Sequence, residues 1–474
     1  MSAVKRSMMS KVNKKPMIGK FKRKNQKVDV SANKKHKLNN KTRKDLNESI
    51  SSESDVSDDE KRNYSSEEEE ETAQEKRLRF TKKYLEQIQI EEKEKAETEE
   101  IDKSAIAHRL REEVLEQAGK LQRKVADEYQ VSSDVKILNG HKLPLTCLIT
   151  SSDNKFIYSA SKDCSIIKWD LESAKKIKVI KGLKKNDDVN IGHSDHVLCL
   201  AISSDNKFLA SGCRNKIIQI WDPVTMDHIR TFKGHRDAIS GLSFRKESHQ
   251  LFSCSFDRSI KLWNLDEMAY VETLFGHQDA ITSIDSLYRD RAITSGGRDT
   301  SIRIWKIIEE SQLVFNGHAS NIECVRLINE ENFMSCGDDG VISLWGTMKK
   351  KPYVSVNTAH GIDEENKQPN WIISIAALHN TDLVASGAYD GHIRFWKCGP
   401  NFRTLTPLFT FPHQGFINAL TFTSDGQHLI AATGQEHRLG RWWRNKKAKN
   451  SVVIIPLIKK PIKKKKNLKK KYAN

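Results

Sequence analysis

The chain is poor in the residues that staple, kink or catalyse. Its 474 residues hold eight cysteines and ten prolines. Cysteines 147, 164, 199, 213, 254, 324, 336 and 398 are scattered, with no Cys-x-x-Cys pair, so neither a zinc module nor a disulfide framework is expected. Most fall in predicted strands and read as free buried thiols, which suits a reducing compartment such as cytosol or nucleus. No long apolar run is present, so no membrane-spanning helix is expected, and no N-terminal apolar segment reads as a signal peptide. Converging carboxylates, a nucleophile beside a base and a metal-ligand cluster are also missing outside the repeated positions described below. An enzyme is therefore not expected, nor a metal, a cofactor or a small-molecule substrate.

Charge is plentiful but unevenly placed. The formal net charge is +18. Residues 1–48 carry 16 Lys/Arg against 3 acids, residues 49–75 carry 11 acids against 2 basic residues, and 459–474 carry 9 lysines and no acid. The stretch 132–458 has a net charge of only +5. Such polar ends cannot bury enough apolar surface to fold, so 1–75 is expected to be a disordered basic-then-acidic tail and 459–474 a second, lysine-rich one. Lys20-Phe-Lys-Arg-Lys24 and the terminal lysines read as import signals that also attract RNA phosphate. Ser52, Ser57, Ser65 and Ser66 each precede an acid by three residues, which makes them phosphorylation candidates.

Between the tails lie two regions. Residues 76–131 are rich in helix formers, and apolar side chains recur every four residues at Ile106, Leu110 and Val114, then at Leu121, Val125 and Tyr129. This reads as a helical segment that docks on the rest of the chain or on a partner. From 132 to 458, seven tryptophans recur at near-regular intervals, each preceded by a histidine. The His-to-Trp distance is 28 residues for His141–Trp169, His193–Trp221, His235–Trp263 and His277–Trp305. It is 27 for His318–Trp345, 36 for His360–Trp396 and 29 for His413–Trp442. Six of the tryptophans follow an acid by six residues: Asp163, Asp257, Asp299, Asp339, Asp390 and Glu436. Asn215 takes that place in the second repeat.

One repeat shows what the period encloses. Ile239–Phe244, Gln250–Phe256, Ile260–Trp263 and Tyr270–Leu274 are short runs of alternating apolar and small or polar residues bounded by turn formers. They read as four strands. A lone four-stranded unit cannot cover both faces, so units must stack radially into a ring. A period near 42 with these anchors resembles the WD40 array, and implies an all-β, seven-bladed propeller. The resemblance further implies that each His, turn acid and Trp joins a buried hydrogen-bond network. Two segments compete to close the ring, Val135–Leu138 and Val452–Ile455. By analogy with other WD40 rings, the N-terminal one is expected to supply the outer strand of the last blade, which leaves the other as an extra edge strand.

Further stretches narrow the resemblance. They are Tyr84-Leu-Glu-Gln-Ile-Gln, Val114-Leu-Glu-Gln-Ala-Gly-Lys-Leu-Gln122, Glu310-Ser-Gln-Leu-Val-Phe315 and Gly434-Gln-Glu-His-Arg-Leu-Gly-Arg-Trp-Trp443. The last two are not features of the repeat itself. From about residue 76 to 457 the chain resembles the WD40 proteins of the U3 small nucleolar ribonucleoprotein. That resemblance implies a non-catalytic nucleolar component binding the box B/C region of U3 small nucleolar RNA. It would sit beside a small kink-turn-binding protein, among other small-subunit processome proteins, and support processing to 18S rRNA.

RNA recognition needs cations for phosphate and planar groups for exposed bases. Arg438, Arg441, Arg444 and Lys446, interleaved with two tryptophans, are the richest candidate site. Arg236, Arg258 and Arg298 flank the repeat His and Asp positions, and Lys184 and Lys185 stand in a lengthened loop on the same face. All are RNA-binding candidates. A generic propeller scaffold that reads acidic peptides or histone tails is the alternative, and it leaves Gln435–Trp443 unexplained.

Overall fold

The computed structural model describes residues 73–95, 103–183, 192–363, 366–441 and 443–460. Residues 1–72 with their candidate serines and 461–474, together with Lys184, Lys185 and Trp442, lie outside the described residues. Phe80–Asn474 forms one compact unit.

Seven antiparallel sheets follow one another along the chain and build a seven-bladed propeller. In the third blade the strands are Ile239–Phe244, Gln250–Ser255, Ser259–Asn264 and Ala269–Phe275, in that spatial order. The inner strand is buried along its whole length, whereas the outer one exposes Tyr270, Val271 and Phe275. Apolar cores lie between neighbouring blades. Ala201, Ile218 and Ile220 of the second blade meet Ile239, Phe244 and Trp263 of the third in one cluster. Such stacking buries faces that a single sheet would leave in water.

A second device locks blade to blade. Every inner strand carries a bulge near its start, after its first residue in six blades and after its second, Ile417, in the seventh, which turns one extra side chain toward the next blade. At four of these positions the side chain donates to a backbone carbonyl of the neighbouring inner strand. The bonds are Thr146 to Val197 (2.6 Å), Ser240 to Ile281 (2.5 Å), Thr282 to Ile322 (2.7 Å) and Asn418 to Leu145 (2.7 Å). Asn418 thereby joins the last blade to the first. In the fifth blade the bulge residue is Glu323, whose carboxylate cannot donate, and this departure shapes the site described below.

Ring closure differs from the expectation in one respect. The N-terminal strand Lys136–Asn139 does form the outer strand of the last blade, pairing with Ser451–Ile454. Ser451–Lys459, however, is not an extra edge strand. It is the third strand of that blade, paired with His428–Gly434 from Ser451↔Thr433 to Pro456↔His428. The short strand Tyr129–Val131 pairs with its far end, Leu457–Lys459.

The helical region is shorter than expected. Helices α1 (Ala73–Lys95) and α2 (Lys103–Gln117) are present, and Tyr84 of α1 donates to Glu113 of α2 at 2.5 Å. Beyond α2 the spacing of Leu121, Val125 and Tyr129 does not mark a helix. Gly119 turns the chain with φ +71, and the segment then runs extended along the fifth and sixth blades. Asp382 explains why: its Oδ1 accepts from the backbone N–H of Val125 (2.8 Å) and Ala126 (2.9 Å), while Arg123 N–H donates to Asn380 O (2.8 Å). The ring supplies the hydrogen bonds that a helix would have made internally. Leu121, Ala126 and Tyr129 are buried against it.

Candidate nucleic-acid interface

Five blades contain the same buried chain of hydrogen bonds. In the third, His235 Nδ1 meets Asp257 Oδ2 at 3.0 Å and its Nε2 meets Ser253 Oγ at 2.8 Å. The same Oγ accepts from Trp263 Nε1 at 2.9 Å. One tautomer satisfies the set: Nδ1–H donates to the carboxylate and the serine hydroxyl donates to Nε2. The fourth blade repeats it with His277, Asp299, Thr294 and Trp305, the fifth with His318, Asp339, Ser335 and Trp345, and the sixth with His360, Asp390, Ser386 and Trp396. In the first, His141 bonds Ser159, which accepts from Trp169; its Nδ1 meets Ser165 Oγ at 2.9 Å and lies 3.5 Å from Asp163. The imidazole bonds, with serine hydroxyls and backbone N–H groups, hold Asp163 and Asp257 well below the usual carboxylate range despite their burial. The bridging hydroxyl escaped the sequence reading, although a Ser or Thr ten or eleven residues before the Trp was visible.

The second and seventh blades break the chain of bonds. His193 and Trp221 share Ser211, at 2.6 and 2.7 Å, but Asn215 turns its amide to Ser194. His193 Nδ1 is left buried without a partner, and burial pushes its pKa down to about 3. In the seventh blade Ile455 pairs with Leu429 where the other blades place their Trp, and Ala431 stands where the bridging hydroxyl would be. His413 Nε2 is buried and unpartnered. Glu436 is therefore not the turn acid of a repeat, and the described residues around the expected strand, 435–441 and 443–450, form a loop, called here the 435–450 loop.

That loop is built around Glu436, which is 7% exposed. Its carboxylate lies 3.7 Å from Lys162 Nζ, 3.4 Å from Arg441 Nε and 3.7 Å from Arg444 Nε. Lys162, in the turn of the first blade, also donates to Gly440 O at 3.0 Å. From this anchor the loop crosses the ring. Arg438 Nη2 donates to Glu323 O (3.0 Å) and Oε2 (3.1 Å), so the bulge carboxylate of the fifth blade is neutralised by a residue of the seventh. Arg438 and Glu323 side chains are only 15% and 7% exposed. Arg438 thus stands apart from the other arginines of its segment, as a structural pin that does not present its guanidinium to solvent.

The other candidates are displayed. Arg441 and Arg444 side chains are 66% and 58% exposed, and Lys446 is exposed beside them. Between them Trp443, 43% exposed, leans on Tyr389 (5.2 Å between ring centroids) and on Trp371 (5.5 Å). Trp371 in turn meets His437 edge-on at 5.9 Å. Tyr389 and Trp371 come from the sixth blade; neither was legible as part of the site, since nothing in their spacing marks them. Arg236, Arg258 and Arg298 are exposed on the same face. Arg258 donates toward Gln278 O at 3.5 Å, and Arg298 lines a cavity at the mouth of the ring. Burial, and then Lys162, Arg214 and Arg441, hold His196 below its ordinary pKa against the pull of Asp195. Cations of the first two blades and of the loop therefore share one region. Among the described residues no group of His, Cys, Asp and Glu could hold a metal.

The family model "WD domain, G-beta repeat" matches residues 132–170, 186–222, 226–264, 268–306, 309–346 and 363–397. These stretches end before the three inner strands of the seventh blade, the one whose repeat network is dismantled. The mouse protein named U3 small nucleolar RNA-interacting protein 2 is 57% identical over 83% of this chain and 84% of its own length. Ribosomal RNA-processing protein 9 of Saccharomyces cerevisiae is 26% identical over 76% of this chain and 80% of its own. A solved structure titled "Structure of U3-55K" superposes with a TM-score of 0.66 at 54% identity, covering 69% of this chain and 99% of that one. The chain belongs to the family of U3 small nucleolar RNA-interacting WD40 proteins, propeller scaffolds that are not enzymes.

Proposed function

We propose that the protein is a nucleolar component of the U3 small nucleolar ribonucleoprotein that binds the box B/C region of U3 RNA. It acts beside a small kink-turn-binding protein, within the small-subunit processome, to support processing to 18S rRNA. The relatives named for U3 RNA interaction and ribosomal RNA processing support the assembly and the compartment. The observation that carries the contact surface is the 435–450 loop, which abandons the repeat and displays Arg441, Trp443, Arg444 and Lys446 together. Arginine suits structured RNA because its planar fork both bonds phosphate and stacks on a base. The propeller carries little net charge, so the kink-turn protein supplies part of the binding surface. Lys184 and Lys185, and the lysine-rich tails, add sequence-independent attraction at low salt.

The test is binding of the full chain to a box B/C stem across a salt series, with and without the kink-turn protein. Arg441→Ala and Arg444→Ala are expected to weaken binding by about 1–3 kcal/mol each and to flatten the salt slope. Binding that ignores both substitutions and disappears with the basic tails would return the propeller to a protein-interaction scaffold.

A further inference from the structure

Beside the loop lies a cavity of about 680 Å³ lined by Arg298, Asn321, Glu323, Asp338, Trp371 and His437, among others. Leu439, 39% exposed, completes the wall that the loop contributes. Trp371 is shared: it lines the cavity and touches Trp443, so the displayed strip of Arg441, Trp443 and Arg444 runs directly to the cavity's edge. This is the volume range of small-ligand sites, and aromatic walls with a few fixed polar groups are what such sites are made of.

The electrostatics select among ligands. Glu323 is already engaged: Arg438 and the Asn321 amide (3.0 Å) both donate to it. Asp338 is held by the Ser320 hydroxyl, but its Oδ1 is buried with no hydrogen-bond partner, and burial raises its pKa. The cavity thus offers an unsatisfied acceptor, and Arg298 in its wall repels a cationic side chain. A neutral, planar heterocycle with N–H donors on its edge would find both a stacking face and an acceptor.

We infer that this cavity receives one unpaired nucleobase of the bound RNA, stacked on the Trp371 indole with an amino-bearing edge turned to Asp338. The inference rests on the reading of this face as the RNA interface and adds to it a base-reading pocket. Guanine, adenine and cytosine each present an amino group; uracil flanks its single ring N–H with carbonyls, which a carboxylate repels. Phosphates on either side of the inserted base fall to Arg298 on one rim and to Arg441 and Arg444 on the other.

The test uses the full chain at a salt concentration where tail-driven binding is suppressed, with fluorescently labelled hexanucleotides of C, A, U and an abasic backbone. The C and A strands are expected to bind roughly tenfold more tightly than U, and the abasic strand most weakly. Asp338→Ala, which removes the acceptor, should erase the preference for amino-bearing bases while keeping the salt slope; Asp338→Asn, which retains one carbonyl acceptor, should keep part of it. Arg441→Ala should weaken all strands alike. Equal binding of C, U and abasic strands, or a preference untouched by Asp338→Ala, would overturn the pocket. So would capture of N-acetylarginine amide by the cavity in preference to any strand. The two readings separate cleanly. Box B/C binding that depends on Arg441 and Arg444 without base preference sinks the pocket alone. Base preference without box B/C binding sinks the U3 reading alone, and absence of all RNA binding sinks both.

Discussion

Removing Arg438 tests the division of labour within the 435–450 loop. Arg438→Ala deletes two hydrogen bonds from the guanidinium, one to the Glu323 carbonyl and one to its carboxylate, and leaves that side chain, 7% exposed, with the Asn321 amide as its remaining donor. Stranding one member of a buried pair costs about 3–5 kcal/mol, mostly the uncompensated desolvation of the survivor. The loop caps that cost. If its docking is worth less than the stranded charge, the loop lets go and Glu323 is hydrated, so the loss appears as local opening and not as unfolding of seven blades. Two readouts follow. Protease cleavage near residues 438–446 should accelerate by about the Boltzmann factor of the docking free energy, and Trp443 emission should shift red as its contacts with Trp371 and Tyr389 are lost. RNA affinity should fall too, but as a consequence, because Arg441 and Arg444 are no longer presented. The double variant Glu323→Gln/Arg438→Met removes both charges together and should recover most of the protease resistance. Should Arg438→Ala leave cleavage and emission unchanged while weakening RNA binding, Arg438 would be a direct RNA contact and the pin reading would be wrong.

Further substitutions address the ring itself. Asn215→Asp places the missing acceptor beside His193 Nδ1 and should raise stability by about 0.5–2 kcal/mol, seen as a higher urea midpoint; a lower one would mean that the carboxylate cannot reach. Ser253→Ala strands both the Trp263 indole N–H and His235 Nε2, and should cost about 1–3 kcal/mol by the same measurement. Gly119→Ala puts a Cβ 2.6 Å from Glu330 Cβ at φ +71, so it should free the 118–131 strap to protease while leaving the blades' melting transition in place. For pH, His193 (about 3) and His437 (about 4) are held neutral by burial, far below 6.5. Stability is then unaffected above 6.5 and falls as pH drops below it, because only the unfolded chain takes up those protons. Desolvation holds His379 at about 3 as well, and solvent reaching its exposed side chain discounts its share. Between pH 7.5 and 5 the loss should therefore be about 2 kcal/mol per buried histidine, roughly 4–6 kcal/mol for the three, offset in part by His249, where Asp205 and Asp266 outweigh burial. A flat denaturation midpoint over that range would refute the neutral-imidazole assignment.

The ring was legible because each blade must repeat one solution to one packing problem, and His-to-Trp periodicity survives in every blade that uses it. It misled where it survived by accident. His413, Glu436 and Trp442 keep the spacing, yet Ile455 fills the Trp place and Ala431 the serine place, so spacing alone could not separate a repeat from its imitation. The neck misled for another reason. Spacing by four at Leu121, Val125 and Tyr129 suits a helix, but the competing offer, Asp382 and the exposed edge of the sixth blade, comes from residues more than 250 positions away. Trp371 and Tyr389 were invisible on the same ground, since they belong to the site only through the loop that leans on them.

The dismantled network of the seventh blade and the RNA surface are two sides of one structural exchange. A blade that keeps its His–Ser–Trp chain ties the turn between its second and third strands tightly to the preceding loop, as Asp257 does by accepting from Arg236 N–H at 2.8 Å. No long loop can grow from a turn held that way. Replacing the Trp by Ile455 and the Ser by Ala431 releases the turn, and its place is taken by sixteen residues, 435–450. The stability given up, a His413 nitrogen without a partner, is recovered across the ring through Lys162–Glu436 and Glu323–Arg438. Both new ties join the seventh blade to others, to the first and the fifth, where the lost network would have tied it only to itself. Arg441, Trp443 and Arg444 are consequently held on a scaffold referenced to three blades, which fixes a contact surface more tightly than one long loop could by itself.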